Sequence, residues 1–140
     1  LADSNFPTEL LQLVITESSK VYNSGIAIQS MVNLSSIGVK FCLADYGVIP
    51  SSLEQLKRLP IDAIRISETL TRDLPINKED AIITESIISL AKILGLQVIS
   101  TGIDSQEQFD FLREKGISYF SGSYFSHLLD KNEFKAYLAK

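Results

Sequence analysis

Two carboxylates in this chain follow short apolar runs, at the positions where a strand would end. Asp45 ends the run at residues 41–44, and Glu17 follows the run at residues 10–15. In a parallel α/β protein the carboxyl ends of the strands, with the loops after them, form the functional face. The sequence therefore predicts that Asp45 and Glu17 lie on that face. The competing interpretation is that each carboxylate only caps a backbone turn or pairs with a neighbour.

Strand-like and helix-like segments alternate along the chain. The alternation predicts strands at residues 10–15, 39–44, 62–66, 96–100 and 117–120, helices at 26–37, 51–59, 80–94, 104–115 and after Asp130, and a turn at 69–75. Five βα units at this spacing predict a parallel sheet with right-handed crossovers. An open doubly wound sheet and part of a (β/α)8 barrel both fit this pattern.

Length and composition narrow the class of protein. The chain has 140 residues, 45% of them hydrophobic and 21% charged, with a formal net charge of -4. One domain with a real core is expected from this length. The acidic balance argues against nucleic-acid or anionic-membrane binding, since both need a basic patch. Polar residues break the apolar runs, so no membrane insertion is expected. Because the chain starts at Leu1 instead of Met, we expect a fragment or a processed chain.

Two single residues exclude further kinds of site. Cys42 is the only cysteine, so an internal disulfide and a zinc cluster of cysteines are excluded, and a buried thiol in a cytoplasmic protein is expected. His127 is the only histidine. No His pair or His-metal cluster is therefore expected within one chain, and His127 is expected in a surface loop.

Five short motifs, in order, resemble those of the EAL-domain family, the bacterial phosphodiesterases that hydrolyse cyclic di-GMP. They are Ile-Thr-Glu-Ser at residues 15–18, Ala-Asp-Tyr-Gly at 44–47 with Ser-Ser-Leu at 51–53, residues 56–62, Ser-Thr-Gly-Ile-Asp at 100–104, and residues 121–126. The resemblance implies that residues 1–140 are a single domain, the C-terminal portion of a degenerate EAL domain. It further implies about five βα units of an EAL-type (β/α)8 barrel, without the segment that carries the Glu-Ala-Leu motif.

The resemblance implies a metal site that has lost ligands. The family holds two divalent metal ions on carboxylates and an Asn at the strand ends, where they activate a water for attack on a phosphodiester. Glu17 and Asp45 match two of these ligands, while Ala44 replaces the first Asp of the family's Asp-Asp-Phe-Gly motif. We expect this metal site to be vestigial. No cofactor is expected, and Mg or Mn is implied only if some activity remains.

Other positions of the family's site are also changed. Arg65 stands where the family has a catalytic lysine, and Thr101 stands at its general-base position. The resemblance places cyclic di-GMP contacts at six positions: Asp45, Tyr46, Arg65, Ser121, Gly122 and Phe125. Arg65 could bind a phosphate, but we expect it to pair with Asp45 or Glu17. Core packing is the competing interpretation for Tyr46, Tyr124 and Phe125.

These losses predict a degenerate, catalytically inactive EAL-type domain that serves as a regulatory or protein-interaction module in bacterial cyclic di-GMP signalling. Two alternatives are a receptor that binds cyclic di-GMP without hydrolysing it and a fragment of an active phosphodiesterase. Five parallel strands cut from a barrel leave two open edges, which promote pairing with another chain. We therefore expect a preceding segment, a protein partner or self-association to complete the barrel.

Overall fold

The described residues form five parallel strands, the helices that connect them, a 3-10 helix before the first strand and a helix after the last. The structure, a computed structural model, describes residues 6–16, 24–47 and 53–139. The strands are β1 (Gln12–Thr16), β2 (Lys40–Tyr46), β3 (Ala63–Ile66), β4 (Gln97–Ser100) and β5 (Tyr119–Phe120). The helices are α1 (Gly25–Ser36), α2 (Leu53–Arg58), α3 (Glu68–Thr71), α4 (Lys78–Leu94), α5 (Gln106–Glu114) and α6 (Lys131–Leu138).

The strands lie side by side in chain order, β1 to β5, and every neighbouring pair is parallel. A doubly wound sheet reverses its strand order at a switch point, whereas a (β/α)8 barrel adds each strand next to the one before it. The observed order therefore selects the barrel arrangement and confirms the predicted fold class of five βα units.

Local capping residues set most helix ends where the sequence predicts them. Asn77 accepts hydrogen bonds from the N–H groups of Glu79 and Asp80, so α4 begins at Lys78. Ser105 and Gln108 form the capping box of α5, and Asp130 and Glu133 form that of α6. Residues 51 and 52, where the sequence predicts the start of the helix at 51–59, lie outside the described residues.

Two segments differ from the sequence prediction. The turn predicted at residues 69–75 contains a short helix, α3, because the Ser67 side chain accepts a hydrogen bond from the N–H of Thr69 and caps it. The first strand begins at Gln12, two residues later than predicted, because Leu10 belongs to the 3-10 helix Thr8–Leu10.

The main core lies between the sheet and the helices. Its buried side chains include Leu43, Ile64, Ile66, Ile88 and Leu112. Alternate strand residues point to the opposite face of the sheet, which in a barrel is the inner face. We call this inner face the concave face. Among the described helices, none is both long and apolar enough to cross a bilayer.

Candidate functional site

The carboxyl ends of the five strands lie at one edge of the sheet, because all five run in the same direction. The loops that follow β2, β3, β4 and β5 at this edge carry or adjoin Asp45, Arg65, Thr101 and Ser121. Topology therefore brings these four predicted positions to the same rim. Glu17, the predicted metal ligand after β1, lies outside the described residues.

A β-bulge at the end of β2 separates Ala44 from Asp45. Leu43 pairs with Ile64 and Tyr46 pairs with Ile66, so two residues of β2 oppose the single residue Arg65. Asp45 has φ of 58° and is exposed. Asp is one of the few residues that tolerate this left-handed conformation. The bulge thus turns the carboxylate towards solvent, while Ala44 stays fully buried at 0% exposure.

The bulge also decides the position of Tyr46. Without an extra residue, alternation would place Tyr46 on the same face as Ala44. With the bulge it falls on the helix-facing side, where it is 7% exposed and belongs to the core cluster that contains Leu70 and Ile87. The ring of Tyr46 therefore packs in the core, as the competing interpretation has it, while its contact with a ligand stays a prediction.

Arg65 points to the concave face, because its neighbours Ile64 and Ile66 both pack in the core. Among the described residues it forms no ion pair, so Asp45 is not its partner, and the other predicted partner, Glu17, lies outside the described residues. The bulge provides the physical reason, since it directs Asp45 outward. Burial raises the pKa of the Cys42 thiol, and the Arg65 guanidinium lowers it in part. The two side chains are therefore electrostatic neighbours on the concave face, and the predicted buried thiol is confirmed.

The loop after β4 is held by its neighbours on one side. The Thr71 hydroxyl of α3 donates a hydrogen bond of 3.0 Å to the carbonyl oxygen of Thr101. Gly102 has φ of 74°, and a Cβ built on it would lie 2.9 Å from Cγ of Glu68. Thr101 offers a hydroxyl, not a carboxylate, and a hydroxyl is a poor general base at neutral pH.

On its other side the same loop is bonded to the loop after β5. The N–H of Ser121 donates to the Ser100 carbonyl at 3.0 Å, and the N–H of Ile103 donates to the Ser121 carbonyl at 3.1 Å. The N–H of Tyr124 donates to the Ile103 carbonyl at 3.0 Å. Gly122 lies directly against Ile103, which leaves no space for a side chain. Backbone packing is thus enough to require glycine at 122, whether or not this position also contacts a ligand.

Phe125 belongs to an aromatic cluster that sequence reasoning did not assemble. The ring of Phe109, on α5, lies 5.0 Å from Phe120, 5.7 Å from Tyr124 and 5.5 Å from Phe125, between ring centroids. The Tyr124 hydroxyl donates to the side-chain oxygen of Gln106. Tyr124 and Phe125 remain partly exposed, so the cluster packs against α5 through Phe109 and is open to solvent at these two residues.

The described donor atoms do not fit a two-metal centre. No group of three or more His, Cys, Asp or Glu side chains that could hold a metal ion occurs within residues 6–16, 24–47 and 53–139. Ala44 has no oxygen to donate, and Arg65 brings a positive charge to the rim. Two divalent ions need several anionic oxygens to offset their charge.

Comparison with known proteins identifies the family. The EAL domain family model matches residues 1–127. The chain belongs to the EAL domain family. It is 34% identical over 119 residues to the cyclic di-GMP phosphodiesterase NbdA of Pseudomonas aeruginosa, a match that covers 85% of this chain and 15% of NbdA. The chain thus spans only a small part of the length of such relatives.

Solved EAL domains share the fold. The EAL domain of Mycobacterium smegmatis DcpA superposes with a TM-score of 0.88 at 26% identity, covering 99% of this chain and 62% of that one. The phosphodiesterase MucR of Pseudomonas aeruginosa, solved as a cyclic di-GMP complex, gives 0.88 at 26% identity and covers 95% of this chain and 54% of that one. The predicted family and the partial barrel are therefore confirmed.

Proposed function

We propose that this chain is a degenerate portion of an EAL domain that does not hydrolyse cyclic di-GMP and acts as a regulatory or protein-interaction module in signalling by that nucleotide. The observation that carries the proposal is Ala44, buried at 0% exposure at the strand end where the resemblance implies a metal-binding Asp. A methyl group there contributes no ligand.

Neighbouring residues support the loss of activity. The bulge directs Asp45 to solvent, Arg65 replaces the lysine of the family pattern, and Thr101 stands at the general-base position. Losing one catalytic group commonly costs orders of magnitude in rate, and groups that act as a unit are not additive. We expect that Ala44→Asp alone will not restore hydrolysis, because Thr101 would still be a hydroxyl.

The signalling context comes from the relatives. NbdA is named as a cyclic di-GMP phosphodiesterase, and MucR was solved with cyclic di-GMP. For this chain we propose the same nucleotide system and a cytoplasmic location, in keeping with its free buried thiol. We further propose that the chain needs no cofactor for this role.

One observation favours a second candidate, a receptor that binds cyclic di-GMP without hydrolysis. Arg65 has no ion-pair partner among the described residues and faces the concave side of the rim. A guanidinium can bind a phosphate through two parallel hydrogen bonds, and it does so without a metal. Phe125, which is 37% exposed, follows β5 at the same end of the sheet.

Calorimetry and a turnover assay on the full-length native protein test both candidates. Cyclic di-GMP is titrated in Mg²⁺, in Mn²⁺ and in EDTA, and product is followed by chromatography with NbdA as the active control. If the protein neither binds nor hydrolyses cyclic di-GMP, the result supports the interaction module. Micromolar binding without turnover, lost in Arg65→Ala and retained in the matched control Arg113→Ala, overturns it in favour of the receptor. Turnover overturns both inactive candidates.

A further inference from the structure

A cavity of about 420 Å³ lies between the loop after β5 and helix α6. Phe125 from the loop and Tyr137 from the helix bring aromatic rings to this cavity, and Glu133 brings a carboxylate. The remaining lining residues are Ser126, His127, Leu129 and Ala136. Pockets for small ligands have volumes of roughly 300–1,000 Å³, so the cavity is large enough to hold a long side chain.

Most of the cavity lies beyond the part of the chain that matches the family model. The match ends at residue 127, whereas Glu133 and Tyr137 belong to α6. Of the six positions at which the resemblance places cyclic di-GMP contacts, Phe125 alone lines the cavity among the described residues. The predicted nucleotide site therefore does not account for this cavity.

The carboxylate of Glu133 is held in place and has no cation beside it. Its Oε2 accepts a hydrogen bond of 2.8 Å from the N–H of Asp130 in the capping box of α6. Among the described residues Glu133 forms no ion pair. With 3.6 residues per turn, Lys131 and Lys135 each lie about 160° around the helix axis from Glu133. The described lining therefore carries a negative charge and no lysine or arginine to offset it.

The aromatic wall from the loop is also held in place. The Phe125 ring lies 5.5 Å from Phe109 and 5.1 Å from Tyr124, between ring centroids and edge to face in both pairs. Phe125 and Tyr137 nevertheless remain 37% and 46% exposed, so both have ring surface to offer. An aromatic face attracts cations, and among side chains most often a guanidinium. The cavity thus combines ring surface with a fixed carboxylate.

We propose that this cavity binds an arginine side chain of a partner protein. A guanidinium stacks on aromatic faces, and its planar fork of N–H donors matches a carboxylate, whereas a lysine ammonium is a strongly hydrated point charge. Glu133 uses one oxygen in the capping box, which leaves the other for this pair.

Exposed apolar side chains beside the cavity favour a protein over a free small cation. Leu128 lies between two lining residues and is 98% exposed, and Phe134, next to Glu133 on α6, is 52% exposed. A partner that inserts one arginine can cover both, and arginine is typical of interface centres. The choice of a protein occupant rests on the interaction module proposed above, but the preference for a guanidinium does not.

Titration of the full chain with blocked amino acids tests the preference for a guanidinium. N-acetyl-arginine methylamide is added while amide proton and nitrogen chemical shifts are followed by NMR. The same derivatives of lysine and of citrulline, which keeps the shape of arginine without its charge, are the controls. We expect saturable shifts at residues 125–137, with arginine the tightest and citrulline weaker by about fivefold or more. Absence of saturable shifts there, or equal affinity for either control, overturns the proposal.

Two matched variants locate the site. Glu133→Gln removes the charge but keeps the capping box, since glutamine also serves at this position, so arginine should bind about threefold or more weakly to a chain that is still folded. Glu114→Gln, at the exposed end of α5, removes a carboxylate outside the lining and should bind arginine as the parent chain does. Equal weakening in both variants would reveal a general charge effect and would contradict the proposed site.

The peptide Leu-Arg-Leu, with blocked ends, separates a protein occupant from a free small cation. Its leucines can cover Leu128, so it should bind more tightly than the blocked arginine, and Leu128→Ser should remove the gain. Equal affinity of the peptide and the blocked arginine would rule out the protein occupant. Glu133 is not one of the rim residues, so Glu133→Gln should leave the cyclic di-GMP assay of the proposed function unchanged, and the two proposals can fail separately.

Discussion

Gly122 and Ile103 are in backbone contact, and a Cβ built on Gly122 would lie 2.0 Å from the carbonyl oxygen of Ile103. The contact joins the loop after β4 to the loop after β5. Hydrogen bonds between Ile103 and both Ser121 and Tyr124 surround it. Because Thr71 holds the β4 loop from the other side, the rim from β3 to β5 is bonded into one unit.

Replacing Gly122 with alanine should therefore destabilise the fold. The added methyl must displace backbone atoms, and we expect a loss of about 1–3 kcal/mol in the free energy of unfolding, the usual cost of overpacking. Urea denaturation followed by circular dichroism measures it. Gly25→Ala is the control: nothing lies within 4 Å of its built Cβ, and it is the first residue of α1. That variant should be neutral or more stable, and an equal loss in both would contradict this account.

Features that depend on neighbouring residues could be predicted from the sequence. Asn77, Ser105 and Asp130 cap their helices through side chains that reach only two or three residues along the chain. Gly95 ends α4 in the left-handed conformation, with φ of 71°, as its place after an apolar stripe predicts. The alternation of strands and helices, which is also visible along the chain, predicts the parallel sheet. The family resemblance predicts the barrel.

Features that depend on pairing between strands could not be predicted from the sequence. No pattern in the sequence indicates the bulge opposite Arg65. The bulge nevertheless moves Tyr46 to the helix-facing side of the sheet and keeps Asp45 from pairing with Arg65. The aromatic cluster around Phe109 joins residues from α5, β5 and the following loop, which only the fold brings together. Phe109 lies in a predicted helix without any motif that would single it out.

The left-handed conformation of Asp45 makes a second prediction. For a residue with a Cβ, the left-handed conformation destabilises the folded state by roughly 1–2 kcal/mol, whereas glycine adopts it without this cost. Asp45→Gly should therefore keep or raise the stability, whereas Asp45→Val should lower it by about 1–2 kcal/mol, since a β-branched residue is the least suited to positive φ. Urea midpoints at constant slope measure both.

A third variant separates backbone from charge at this position. Asp45→Asn keeps the tolerance for positive φ and removes the negative charge, so its stability should stay within about 0.5 kcal/mol of the parent value, as for other surface changes. If Asp45→Val proved as stable as Asp45→Gly, the bulge conformation would not be the constraint proposed here.

The pKa of Cys42 predicts how stability depends on pH. Burial raises this pKa in the folded chain, and Arg65 offsets only part of the rise. Above the pKa of an unfolded thiol, about 8.5, the unfolded state releases a proton that the folded state retains. The contribution of the Cys42 thiol to the free energy of unfolding is therefore fully present below about pH 8.5. It decreases as pH rises through the folded pKa, by up to roughly 1.4 kcal/mol per pH unit.

Urea unfolding from pH 6 to pH 10, in a reducing buffer, measures this with Cys42→Ala as the matched variant. The difference in stability between the parent chain and Cys42→Ala should be constant up to about pH 8 and should change in favour of the variant above about pH 9. Other titrating groups cancel in this difference because both chains carry them. Arg65→Met removes the charge that lowers the thiol pKa, so the loss of stability caused by Cys42 should continue to a higher pH. Parallel pH profiles for the parent chain and Cys42→Ala would show that the thiol ionises as readily in the folded chain as in the unfolded one.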